Sequence, residues 1–114
     1  MELSKQAQQL IGQMQGQQQQ MQVVVMQKQQ LELQERELGA ALDEVKTSKS
    51  DVYKALGPVM IKSTKVQLTK ELKEQKTDID LKKKMLEKQE KKIEESLEQG
   101  KDKIKSMLPN GKEE

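Results

Sequence analysis

The sequence contains no cysteine, histidine, phenylalanine or tryptophan, and Tyr53 is its single aromatic residue. Without Cys there is no disulfide framework and no thiolate chemistry, which fits a reducing compartment. Ser, Thr, Asp and Glu are scattered over what read as helix surfaces, so neither a nucleophile–base pair nor a metal-ligand spacing can be assembled. An enzyme, a metal and a cofactor are therefore not expected. No apolar run approaches the roughly 18 residues of a membrane span, and the opening MELSKQAQQL lacks the apolar core of a signal peptide. The expectation is a soluble cytoplasmic protein. Charge of one sign is missing too: 21 Lys and Arg face 19 Asp and Glu, interleaved along the chain. That pattern describes solvated helix faces, and no nucleic-acid partner is expected. The lysine-rich stretch LKKKMLEKQEKK reads the same way, because glutamates interrupt it and no aromatic group is available for stacking.

What remains is 32% hydrophobic and 35% charged over 114 residues. A compact globule needs more apolar and aromatic bulk than this, whereas an elongated helical assembly buries only a seam. A heptad of one phase runs from Leu3 to Val45. One seam position holds Leu3, Leu10, Gln17, Val24, Leu31, Leu38 and Val45; the other holds Ala7, Met14, Met21, Lys28, Glu35 and Leu42. Sustained 3-4 spacing of this length is the signature of a coiled coil. The glutamine clusters GQMQGQQQQMQ and MQKQQ have a competing reading as a low-complexity tract, but Gln is a fair helix former and the heptad continues through them.

The second half repeats the logic. Leu72, Ile79, Leu86, Ile93 and Met107 recur at sevens, Leu68 precedes them, and Leu97, Ile104 and Leu108 join towards the end. Pro109-Asn110-Gly111 then stops the helix. The spacing predicts one domain over 1–114: an N-terminal helix over 1–48, a central insert over 51–64, a C-terminal helix over 65–108 and a flexible tail over 109–114. Matched helix lengths point to an antiparallel helical hairpin. Folding back near Gly57 pairs positions whose numbers add to about 113 or 114, bringing Val45 beside Leu68, Leu42 beside Leu72, Lys28 by Leu86 and Glu35 by Ile79. The seam is then apolar at both ends and mixed in its middle, where long Lys and Glu stems cover apolar neighbours.

The insert DVYKALGPVMIKST interrupts this pattern. Val52 to Leu56 and Val59 to Thr64 carry β-branched and aromatic residues with polar ones interspersed, and Gly57-Pro58 between them is a turn signal. A two-stranded hairpin is marginal alone and leaves open edges. It is expected to pair with strands of other chains, through Val52, Tyr53, Leu56, Val59 and Ile61 around the Gly57 turn. A phosphate-binding reading of GPVMIKST fails, because the second Gly before Lys-Ser is missing and the interior is bulky and apolar.

A long heptad helix, then VYKALGPVMIKSTK, then a second helix opening QLTKELKEQ resembles the β-class subunits of prefoldin, the archaeal beta chains and the eukaryotic subunit 6-like ones. The likeness covers about the whole chain. Its most specific part is Val52-Tyr53-Lys54, then Leu56-Gly57 and Ile61-Lys62, while the helices match mainly by pattern. The single hairpin suits the β class, since α-class subunits carry two. The resemblance implies a mainly α fold, a long antiparallel two-helix coiled coil whose central β-hairpin joins an oligomeric β-barrel platform. It also implies a hetero-hexamer of two α-class and four β-class chains, an ATP-independent holdase that grips non-native proteins at the coiled-coil tips and passes them to a group II chaperonin. One departure is the Met- and Gln-rich start of the seam, which bears on client preference.

Apolar residues off the seam, Ile11, Val23, Val25, Met26 and Leu33 on the first helix and Leu81 and Met85 on the second, have broad packing or tolerance as their simplest explanation. As a group near the two helix ends, Leu3, Leu10, Ile11, Met14, Ile104, Met107 and Leu108 are candidate client-binding residues. Methionine repacks against many apolar shapes, which suits a holder of unrelated clients. The rival from another class is a purely structural coiled-coil adaptor or tether.

Overall fold

The computed structural model describes residues 4–108 and consists of two long helices joined through a two-stranded hairpin, in the order α1 (Lys5–Thr47), β1 (Val52–Leu56), β2 (Val59–Ser63) and α2 (Lys65–Met107). Each helix has 43 residues. Both open on a hydroxyl cap. Ser4 Oγ accepts from the Ala7 amide at 3.1 Å, and Thr64 Oγ1 accepts from the Gln67 amide at 3.1 Å, so each satisfies one of the donors that a helix start leaves unpaired. Leu3 and the Pro109 stop with its tail lie outside the described residues.

Two compact units divide the chain. Among the described residues the first joins 4–28 to 85–108 and the second holds 29–84. In both, α1 and α2 run antiparallel. The heptad seam of α1 is the face that turns inward: every described position of the two seam rows is buried or half-buried, polar Gln17, Lys28 and Glu35 included. Ala7 and Val24 are buried in the first unit, and Val45, Leu68 and Ile79 in the second. A narrow seam is all that the apolar content can fill, and coiled-coil packing needs no more.

The middle of the seam carries polar contacts that the apolar-against-polar pairing leaves out. In the first unit Gln17 donates from Nε2 to Ser96 Oγ at 2.6 Å, and Lys28 meets Glu90, with Nζ to Oε1 at 2.9 Å. In the second, Glu35 lies between Lys83, at 3.1 Å, and Lys76, at 3.9 Å. Lys76, Lys83 and Glu90 occupy the second seam row of α2, which a search for apolar residues at sevens passes over. The charged seam positions of α1 are therefore answered by opposite charges on α2, and Gln17 by a hydroxyl.

These groups are partly exposed, so each pair contributes modestly, yet all sit where mispairing brings like charges together. Glu35→Lys should cost about 1–2 kcal/mol of stability in denaturant unfolding, because three ammonium groups would then share one stretch of seam. Adding Lys83→Glu should recover much of the loss. A double variant no more stable than the single one would show that these charges do not communicate.

Candidate functional site

In the second unit, β1 and β2 pair antiparallel with Val52 opposite Ser63, Lys54 opposite Ile61 and Leu56 opposite Val59. Partners across a ladder point to the same face, so Val52, Leu56, Val59 and Ile61 share one face and Tyr53 lies on the other, with Met60. The assembly residues read from the sequence thus divide between two faces. Gly57 has φ of +57° and Pro58 follows it, a positive-then-negative sequence that suits a two-residue hairpin turn with glycine first.

Burial falls along the hairpin from root to turn. Val52, Lys54 and Ser63 are half-buried near the helices, while Tyr53, Leu56, Val59 and Ile61 are exposed, Val59 by 54%. Met60 and Val66, which neither heptad nor strand alternation singled out, are more exposed still, at 65% and 81%. An apolar ribbon of this kind, with unpaired strand edges, is a liability for a solitary chain and a ready-made pairing surface for an assembling one.

A charged tether fixes the hairpin root. Lys54 Nζ reaches Glu71 Oε1 on α2 at 2.9 Å, and Gln67 Nε2 donates to Glu71 Oε2 at 2.9 Å. The Gln67 amide and then the Lys54 ammonium hold the Glu71 carboxyl below the ordinary glutamate range. A carboxylate whose pKa is lowered by folding stabilises above its unfolded pKa and loses that effect as pH falls through the lowered value. Glu71→Gln should therefore reduce amide-exchange protection in β1 at neutral pH. The difference from the parent chain should vanish in acid, and a difference that persists there would overturn the assignment.

In the first unit the start of α1 and the end of α2 form an open groove of about 520 Å³, lined by Ile11, Met14, Ile104 and Leu108 with Gln15, Gln18, Lys101 and Lys105. Four of the seven candidate client-binding residues thus line one groove. Leu10 is half-buried on the seam and Met107 is exposed by 38%. Leu3 lies outside the described residues. Gly100, buried and absent from the sequence reading, shapes this region: an added Cβ would meet Met14 Sδ at 2.9 Å, so the missing side chain is what lets Met14 lie against α2. Of the other apolar residues off the seam, Val23, Met26, Leu33, Leu81 and Met85 are exposed and Val25 is half-buried.

Among the described residues no helix is long and apolar enough to cross a membrane, and no group of three or more His, Cys, Asp or Glu could hold a metal ion. A family profile described as "Prefoldin subunit" matches residues 8–110. The chain is 40% identical over 105 residues to the prefoldin subunit beta of Thermococcus kodakarensis, covering 90% of each sequence. It is also 40% identical over 109 residues to that of Methanothrix thermoacetophila, covering 94% of this chain and 91% of the relative. Its fold matches the crystal structure of the prefoldin beta subunit from Thermococcus strain KS-1 with a TM-score of 0.88 and 37% identity, over 95% of this chain and 96% of that one. Two equal heptad helices, one exposed apolar hairpin between them and these likenesses lead to one conclusion: the chain belongs to the prefoldin subunit family, as a β-class member.

Proposed function

We propose that this chain is a subunit of an ATP-independent holdase, which binds unfolded proteins at the free ends of its two helices and delivers them to a group II chaperonin. The observation that carries the reading is the groove in which Ile11, Met14, Ile104 and Leu108 come together from the two helix ends. A coiled coil that only spaced other proteins would gain nothing from an open apolar groove at that place. Flexible methionine and branched aliphatic side chains offer weak contacts to many sequences, and several chains in one assembly convert weak contacts into firm holding.

Assembly follows from the hairpin. Val52, Leu56, Val59 and Ile61 on one face and Tyr53 on the other are the surface through which α-class subunits and further β-class copies add their strands, closing the edges into a shared β-barrel platform. The chain works as one prefoldin-type domain in the cytoplasm, without a catalytic step or a cofactor. Its partners are prefoldin subunits, non-native clients and the chaperonin.

The test is dilution of a chemically denatured protein into buffer with the assembled complex and no nucleotide, followed by light scattering. A holdase suppresses aggregation at near-stoichiometric ratios. Scattering unchanged by the complex would leave the tether as the better account.

A further inference from the structure

The groove has a charge character of its own. Across residues 11–18 and 101–108, which span its lining, the charged side chains are Lys101, Lys103 and Lys105 against Asp102 alone. After Ser4 the first acidic residue of α1 is Glu32, so the wall contributed by α1 offers glutamines and no carboxylate. Lys101 and Lys105 line the groove beside Ile104 and Leu108 and are exposed, and among the described residues neither has an ion-pair partner. Elsewhere along the seam, lysines that lie by the helix partner are answered by glutamate, as Lys28 is by Glu90 and Lys83 by Glu35. Among the described residues, no carboxylate answers the groove lysines.

We propose that this groove selects client segments in which apolar side chains alternate with carboxylates, the apolar groups seating on Ile11, Met14, Ile104 and Leu108 and the carboxylates meeting Lys101 and Lys105. The inference rests on the client-holding reading and adds its substrate class. An apolar floor sets which segments enter at all, and the basic rim sets which of them stay. A segment with lysines in the same places brings like charges to the rim and is disfavoured. Because both lysines are solvent-exposed, the effect is one of discrimination and salt dependence more than of raw affinity.

The experiment uses two fluorescent unstructured peptides with identical apolar residues, one carrying Glu and the other Lys at the polar positions, titrated with the full chain and with its assembly. Anisotropy should show the acidic peptide bound about threefold to tenfold more tightly at low salt, the range that two exposed ion pairs supply. The difference should collapse in about 0.5 M salt, where screening reaches a few ångströms. Lys101→Glu with Lys105→Glu should reverse the preference, and the milder Lys101→Gln with Lys105→Gln should abolish it while leaving helix content unchanged. Equal binding of both peptides would overturn the charge selection and leave the holdase reading standing. Failure of both peptides to bind would overturn the two together.

Discussion

Chains carrying Val59→Asp or Ile61→Asp should form their helices and fail to assemble. Both side chains lie about half exposed in the single chain, Val59 at 54% and Ile61 at 46%, so replacing them removes little packing from the fold. In a sheet shared with neighbouring chains the same positions become interior, and an unpaired carboxylate there costs several kcal/mol, enough to reduce association by a thousandfold or more. Helical circular dichroism should remain near the parent value while sedimentation shows the free chain. Leu56→Asp should behave alike, since Leu56 faces Val59 across the ladder. Tyr53 is the informative contrast. It lies on the opposite face with Met60, so Tyr53→Asp tests whether the assembly covers both sides of the hairpin. A normal hexamer from Val59→Asp and Ile61→Asp would sink the role given to this face.

Removing the residues before Leu10 and after Gly100 should leave assembly intact and abolish suppression of client aggregation. The truncation takes Ile104 and Leu108 from the groove, removes Met107 beside them in sequence, and leaves Ile11 and Met14 without the opposite wall. It also removes Ala7, which is only 1% exposed, so the cut ends should fray. Losing several apolar contacts at 1 kcal/mol or more each predicts a loss of client affinity on the order of a hundredfold per site, which multivalency multiplies across an assembly. Ile104→Ser with Leu108→Ser provides a gentler form in which the helices keep their length. Undiminished suppression by either complex would move client binding away from the helix ends. Together with the hairpin variants, these changes separate assembly from holding: one set should lose the complex, the other its grip.

Prefoldin relatives and the heptad agree on the fold, and the residues show why so much was legible in advance. A seven-residue repeat is a local property, so Leu10, Val24, Leu31, Leu38 and Val45 could be assigned to an inward face without knowing the partner helix, and all of them are buried or half-buried. Gly57-Pro58 reads as a turn because a positive φ beside a fixed negative one belongs to few conformations, and Gly57 adopts it. The interruption DVYKALGPVMIKST likewise contrasts with its surroundings in composition alone.

Other features needed two distant segments at once. Lys76, Lys83 and Glu90 fill a seam row of α2, yet nothing in their own neighbourhood distinguishes a seam lysine from a solvated one. Only the approach of Glu35 and Lys28 does so. Gly100 falls seven residues after Ile93, but a glycine carries no apolar signal, and its importance appears when Met14 lies against it. The two faces of the hairpin depend on which residues sit opposite one another, a matter of ladder register.

Periodicity and turn chemistry act over a few neighbouring residues, so two helices of matched reach, a reversing hairpin between them and the side of α1 that turns inward are legible along the chain. How the seam's charges are answered, which apolar groups share a hairpin face and that Ile11 to Gln18 of α1 make one groove with the end of α2 came only with the tertiary structure. Those are relations between residues as many as ninety positions apart, and only the folded chain brings them within reach of one another.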